Sequence, residues 1–141
     1  MAWTNEMIHT PVIYLASPID NGVVSGVDKV HELLVQDGFA VYWPQKAWSV
    51  RAGAIPNEKL QGANMSVLDF ADGLLACLKV DKLTVGTIIE IYEAQTRGIP
   101  TVVWGNVNHS WALAYLGVEA YSDLRDAVRA LIQKVSDHVE A

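Results

Sequence analysis

A single cysteine, Cys77, is all the thiol chemistry in this chain, so neither a disulfide framework nor a Cys-rich zinc site can be built. Sitting in the apolar run GLLACL, it reads as a small buried hydrophobe. Basic residues are scarce too: 10 Lys and Arg against 16 Asp and Glu leave a net charge of -6, with no basic tract. Nucleic-acid polymers and anionic membranes require clustered cations to neutralise phosphates, which argues against both as partners. A small phosphorylated ligand stays open, because helix amides can hold an anion unaided. No apolar run is long enough to span a membrane, and no apolar h-region follows the polar leader MAWTNEMIHTP, so a cytoplasmic protein is expected. Also missing are GxGxxG behind the first strand and GxxxxGK[ST] anywhere, which leaves the usual dinucleotide turn and the P-loop phosphotransferases without support. With no internal repeat, low-complexity tract or linker, residues 12–141 are expected to form one domain behind a leader of residues 1–11.

Apolar residues, by contrast, make up 51% of the chain, enough for a sizeable core. The most organised stretch runs over residues 73–104, GLLACLKVDKLTVGTIIEIYEAQTRGIPTVVW. Residues 73–78 are a short apolar run, and residues 100–104 are a β-branched run introduced by Pro100. Between them, residues 87–97 carry helical periodicity, with Ile88, Ile91, Tyr92 and Gln95 along one side and Glu90, Ala94 and Arg97 along another. Gly98 stands where a left-handed residue ends a helix. Two buried strands joined through a helix define a βαβ unit, and the loop before Thr87 lies at the strand's carboxyl end, where open α/β sheets bind ligands. Elsewhere VIYLA at 12–16 reads as a first strand, 23–36 as a helix with Val27, Val30 and Leu34 inward, and 40–43 as a second strand ended by Pro44. A long connection with Trp48 and Arg51 leads to a helix over 57–70. Beyond Trp104, WALAYLGV suggests a short helix before a minor strand at 118–120. Residues 122–135 close the chain as an amphipathic helix capped by Ser122, with Leu124, Val128, Leu131 and Val135 inward. About five strands alternating with helices predict a parallel α/β sheet in an open doubly wound, Rossmann-like or flavodoxin-like sandwich.

Glu90 has two readings on physical grounds. A carboxylate near the start of this helix can attack a carbon bearing developing positive charge, such as the anomeric carbon of a nucleoside whose base is leaving. Equally, Thr87-Ile-Ile-Glu90 fits the capping box T-x-x-E, in which Glu90 only returns to the Thr87 amide.

Taken together, IYLASP at 13–18, Asn64, Asp72 and VGTIIEIYEAQTRGIP resemble the nucleoside 2-deoxyribosyltransferase superfamily, which also contains hydrolases of nucleoside 5'-monophosphates. The resemblance covers residues 12–103. It implies Glu90 as the nucleophile that forms a covalent glycosyl-enzyme, with Tyr14 hydrogen-bonding and orienting it. Asn64 falls where the transferases usually carry an Asp at the sugar; an amide positions a sugar but cannot be a general acid. Asp72 corresponds to a carboxylate that often opens the third strand, and Ser17, Asp20 and Gly22 occupy the loop that contacts base or phosphate in relatives. Thr84 stands six residues before the nucleophile, where free-nucleoside transferases have Asp and monophosphate hydrolases have Ser. With the Gly86 and Thr87 amides it suits a phosphate, and Lys79 and Lys82 flank it. The resemblance further implies a homodimer or higher even oligomer with a shared active site, a neighbour contributing Asn108 and Ser110 beside Asn106 and His109. The resulting expectation is a hydrolase of a (deoxy)nucleoside 5'-monophosphate needing no cofactor or metal. Its alternatives are a base-exchanging nucleoside 2-deoxyribosyltransferase and a non-catalytic nucleotide-binding module.

Overall fold

The computed structural model describes residues 10–17, 26–47, 57–78, 85–105 and 111–140. In chain order these form β1 (Val12–Ala16), α1 (Val27–Gln36), β2 (Ala40–Tyr42), α2 (Pro44–Ala47), α3 (Asn57–Leu68) and β3 (Gly73–Leu78). They continue with α4 (Val85–Thr96), β4 (Thr101–Gly105), α5 (Trp111–Leu116), β5 (Glu119–Tyr121) and α6 (Leu124–Glu140). The five strands make one parallel sheet in the order β2-β1-β3-β4-β5. Every residue of β3 and β4 is buried, as the unbroken apolar runs of a doubly covered parallel sheet require. The expected α/β sandwich with about five parallel strands is therefore observed.

Two cores lie on opposite faces of the sheet, because alternate side chains of each strand point opposite ways. Ile13, Leu15, Leu75, Cys77, Val102 and Trp104 face α1 and α6, where Val30, Leu34, Val128, Leu131 and Val135 meet them. Tyr14, Ala16, Leu74, Ala76, Leu78 and Val103 face the other way, toward Leu68 of α3, Ile91 and Ala94 of α4 and Leu113 of α5. Strand order reverses direction between β1 and β3, the switch point at which sheets of this order open a crevice above their carboxyl ends.

Several boundaries differ from the periodicity-based expectation. Helix α4 starts at Val85, so Thr87 lies inside its first turn rather than at the cap. Tyr92, expected beside Ile91, is exposed, and the inward stripe is Thr87, Ile91 and Ala94, a tighter i, i+4, i+7 pattern. Gly98 ends α4 at φ 72° as foreseen, its N–H donating to Gln95 at 3.0 Å while the Ile99 N–H reaches Ala94 at 2.9 Å. Pro44 does end β2, but it also opens the short α2, the helix position where its missing N–H costs least. At α6 the cap is Asp123 rather than Ser122: its Oδ1 accepts the amides of Arg125 at 2.9 Å and Asp126 at 3.0 Å.

Candidate active site

Strand β1 carries Tyr14 at its centre, in register with Tyr42 of β2 on one side and Leu74 of β3 on the other. Its side chain is fully buried on the α3–α4–α5 face. A phenol there needs a partner for its hydroxyl, and it finds one in Glu90: the Tyr14 O–H donates to the Glu90 carboxylate. Glu90 is half-buried in the second turn of α4, beside the inward stripe. With the helix starting earlier than expected and Glu90 engaged across the sheet, the capping-box reading loses its geometry.

Burial shifts both members of the pair in the same direction. It is the largest influence on Glu90, pushing the carboxyl up to about 7, against a smaller downward pull from the Tyr14 hydrogen bond. Tyr14 is raised above the ordinary phenol range by burial and then by the neighbouring Glu90 charge, so it keeps its proton and remains the donor. A carboxylate that water stabilises poorly and a fixed phenol orients is well suited to nucleophilic attack.

Other expected residues divide into three groups. Asn64 of α3 lies on the same face, with its Oδ1 accepting the Tyr42 hydroxyl at 2.7 Å, and the Tyr42 ring lies 5.3 Å from that of Tyr14 at 57°. Ser17, directly after β1, is buried and accepts the Trp43 indole N–H at 3.0 Å. Gly86 and Thr87 sit in the first turn of α4, Thr87 buried and Gly86 exposed with open space where a β-carbon would be. Asp72 is different. Its Oδ2 accepts the Val12 amide at 2.8 Å while its own amide donates to the Val12 carbonyl at 2.7 Å, a two-bond clip at the amino end of β1. These contacts secure β1 at the end of the sheet opposite Ser17. Asp20, Gly22, Thr84, Asn108 and Ser110 lie outside the described residues, as do Trp48, Arg51, Lys79, Lys82, Asn106 and His109.

Sequence reasoning passed over Tyr42 and Trp43. Both stand in the run AVYWP, and their value depends on strand register: pairing with Tyr14 turns Tyr42 toward the site face, and the next residue, Trp43, reaches Ser17 from the other. No group of three or more His, Cys, Asp or Glu able to hold a metal occurs among the described residues. No helix among them is long and apolar enough to cross a membrane.

A parallel sheet with a phenol-oriented carboxylate below its switch point defines the class, an α/β protein with a candidate nucleophile. Comparison with solved structures makes this particular. The chain superposes on a 2-deoxyribosyltransferase from Bacillus psychrosaccharolyticus with a TM-score of 0.71 and 18% identity, covering 88% of this chain and 95% of that one. A conserved protein from Enterococcus faecalis V583 matches with a TM-score of 0.72 and 16% identity over 89% of this chain and 99% of that one. A 2-deoxyribosyltransferase from Leishmania mexicana matches less completely, with a TM-score of 0.54 and 18% identity over 67% and 64%. No protein-family model matches the chain, and no curated protein matches it in sequence. The chain thus has the nucleoside 2-deoxyribosyltransferase fold. One expectation is overturned here: both neighbours with a stated activity are 2-deoxyribosyltransferases, which contradicts the nucleoside 5'-monophosphate hydrolase and favours its base-exchange alternative.

Proposed function

We propose that the chain is a nucleoside 2-deoxyribosyltransferase, exchanging the base of a 2'-deoxynucleoside for a second free base. The observation that carries this reading is the hydrogen bond from the Tyr14 hydroxyl to the Glu90 carboxylate. In the first half-reaction a Glu90 oxygen forms a bond to C1' while the C1'–N bond breaks, its electron pair leaving with the base, which takes up a proton from solvent. In the second, a nitrogen of the incoming base attacks C1', the C1'–O bond to Glu90 breaks with its electron pair returning to the carboxylate, and the base gives up its N–H proton to solvent. Tyr14 holds the carboxylate at a fixed angle through both steps and, retaining its own proton, stabilises the charge that returns to Glu90.

The reading extends to the surroundings. Asn64 and Ser17 contribute polar contacts to the sugar or base, together with Gly86 and Thr87 and with Asp20, Gly22 and Thr84. Residues 12–141 act as one cytoplasmic domain and pair as a homodimer, Asn108 and Ser110 completing a neighbour's pocket. Exposed apolar side chains support the dimer: Ile89 and Tyr92 on α4 are 42% and 54% exposed, and Tyr115 on α5 is 82% exposed, more than an isolated surface favours together.

Purified protein incubated with 2'-deoxyadenosine and free cytosine, and with other pairings of deoxynucleoside and base, tests the reading by chromatography. Formation of the new deoxynucleoside in step with release of the first base is expected, and Glu90→Gln abolishes it. Release of the first base without any new deoxynucleoside, or full turnover by Glu90→Gln, overturns it.

A further inference from the structure

The two phenols on the site face stand side by side yet serve different helices. Tyr14 and Tyr42 are direct register partners on β1 and β2, with ring centroids 5.3 Å apart. Tyr14 donates to Glu90 on α4, whereas Tyr42 donates to Asn64 Oδ1 on α3 at 2.7 Å. A primary amide offers one acceptor oxygen and two N–H donors, and which end faces a ligand is decided by whatever binds the other end. Here the oxygen is held by a phenol whose ring is packed against Tyr14. The Asn64 nitrogen, without a partner among the described residues, retains both donors.

We infer that Tyr42 is a specificity-determining residue that fixes Asn64 as a hydrogen-bond donor to the substrate; this rests on the base-exchange reading. The substrate atom that Asn64 meets is therefore an acceptor, such as a hydroxyl oxygen receiving through its lone pair or a base carbonyl. A carboxylate at the same position has the opposite polarity, because it only accepts and selects a substrate O–H or N–H. Tyr42 does not touch the reacting atoms. It acts through Asn64, so its removal weakens binding of the deoxynucleoside and leaves the bond-breaking step at Glu90 largely intact.

Two variants and two readouts test this. Tyr42→Phe keeps the ring against Tyr14 but frees the amide to turn over; base exchange with 2'-deoxyadenosine as donor is expected to show KM raised roughly three- to tenfold with kcat within about twofold, the cost of one neutral hydrogen bond made equally in ground and transition states. Asn64→Asp, which still accepts from Tyr42 but presents an oxygen to the substrate, raises KM by more than Tyr42→Phe does. In parallel, the Asn64 side-chain amide signals in 1H–15N NMR spectra of the ligand-free protein shift and exchange faster with water in Tyr42→Phe. An unchanged KM in Tyr42→Phe, an Asn64→Asp enzyme that binds as well as the parent, or unmoved Asn64 amide signals each overturns the inference. A purely structural Tyr42 lowers the melting temperature and leaves KM alone. Absence of base exchange in the parent itself defeats the proposed function instead, and the NMR comparison still decides whether Tyr42 orients Asn64.

Discussion

The hydroxyl of Tyr14, at the middle of the first strand, donates to the carboxylate of Glu90, 76 residues further along the chain in α4. Strand and helix thereby hold a charged group half-buried at the edge of a core that otherwise contains aliphatic and aromatic side chains.

Removing the phenol hydroxyl isolates its contribution. Tyr14→Phe preserves the ring packing and deletes one hydrogen bond to a charged group, so base exchange should fall roughly ten- to a hundredfold in kcat. Because that bond is what draws Glu90 downward, its loss moves the acid limb of the pH–rate profile to higher pH. A profile that stays in place would separate Tyr14 from Glu90's ionisation.

The profile of the parent has a sign of its own. Glu90 attacks as a carboxylate, and with its carboxyl pushed up to about 7 the active form accumulates as pH rises through that value. Initial rates of base exchange should therefore climb between about pH 5 and 8 rather than reach a plateau near the ordinary Glu value. Flat rates across that range contradict the assignment.

Stability runs the opposite way. A carboxyl whose folded value lies above its unfolded one binds more protons in the folded state, so its contribution is greatest at low pH and is lost as pH rises through the folded value. The rise from 4.5 to about 7 at Glu90 corresponds to about 3 kcal/mol at most, lost progressively between those pH values. Glu90→Gln, neutral at every pH and still able to accept from Tyr14, should unfold at higher urea concentration than the parent above neutrality while being inactive. Equal midpoints at high pH would show that the carboxylate is not destabilising.

Asp72 should behave as a structural residue. Asp72→Ala leaves the Val12 amide without its 2.8 Å acceptor, a loss of about 1–3 kcal/mol. The expected result is a lower melting temperature with kcat/KM for base exchange close to the parent's, measured at a temperature where both are folded. A kinetic defect without a stability defect would give Asp72 a role at the substrate instead.

Gly26 gives a second structural test, on the sheet face that α1 and α6 cover. It opens α1 at φ 97°, and a β-carbon there would approach the Trp104 ring to 2.6 Å. Gly26→Ala combines backbone strain with a clash against a buried indole and should cost about 2 kcal/mol or more, read as a lower denaturation midpoint with an unchanged slope.

Sequence alone determined the alternation of strand and helix, because the signals involved are local: continuous apolar runs for β3 and β4, helical spacing of Val27, Val30 and Leu34, and a left-handed stop at Gly98. It also singled out Tyr14, Glu90 and Asn64, which the fold brings to one face of the sheet. What only the tertiary structure decided were the relationships that depend on parallel register. Pairing of Tyr14 with Tyr42 turns an unremarkable strand residue into the partner of Asn64, and pairing of Ile13 with Gly73 sets Asp72 against the Val12 backbone. Tyr92 turned outward for a related reason: on α4 the choice among neighbouring apolar residues is made by which stripe the sheet covers, and Thr87, Ile91 and Ala94 are small or slim enough to lie close against it. Local periodicity records that a face exists; the register of elements distant in sequence determines what that face meets.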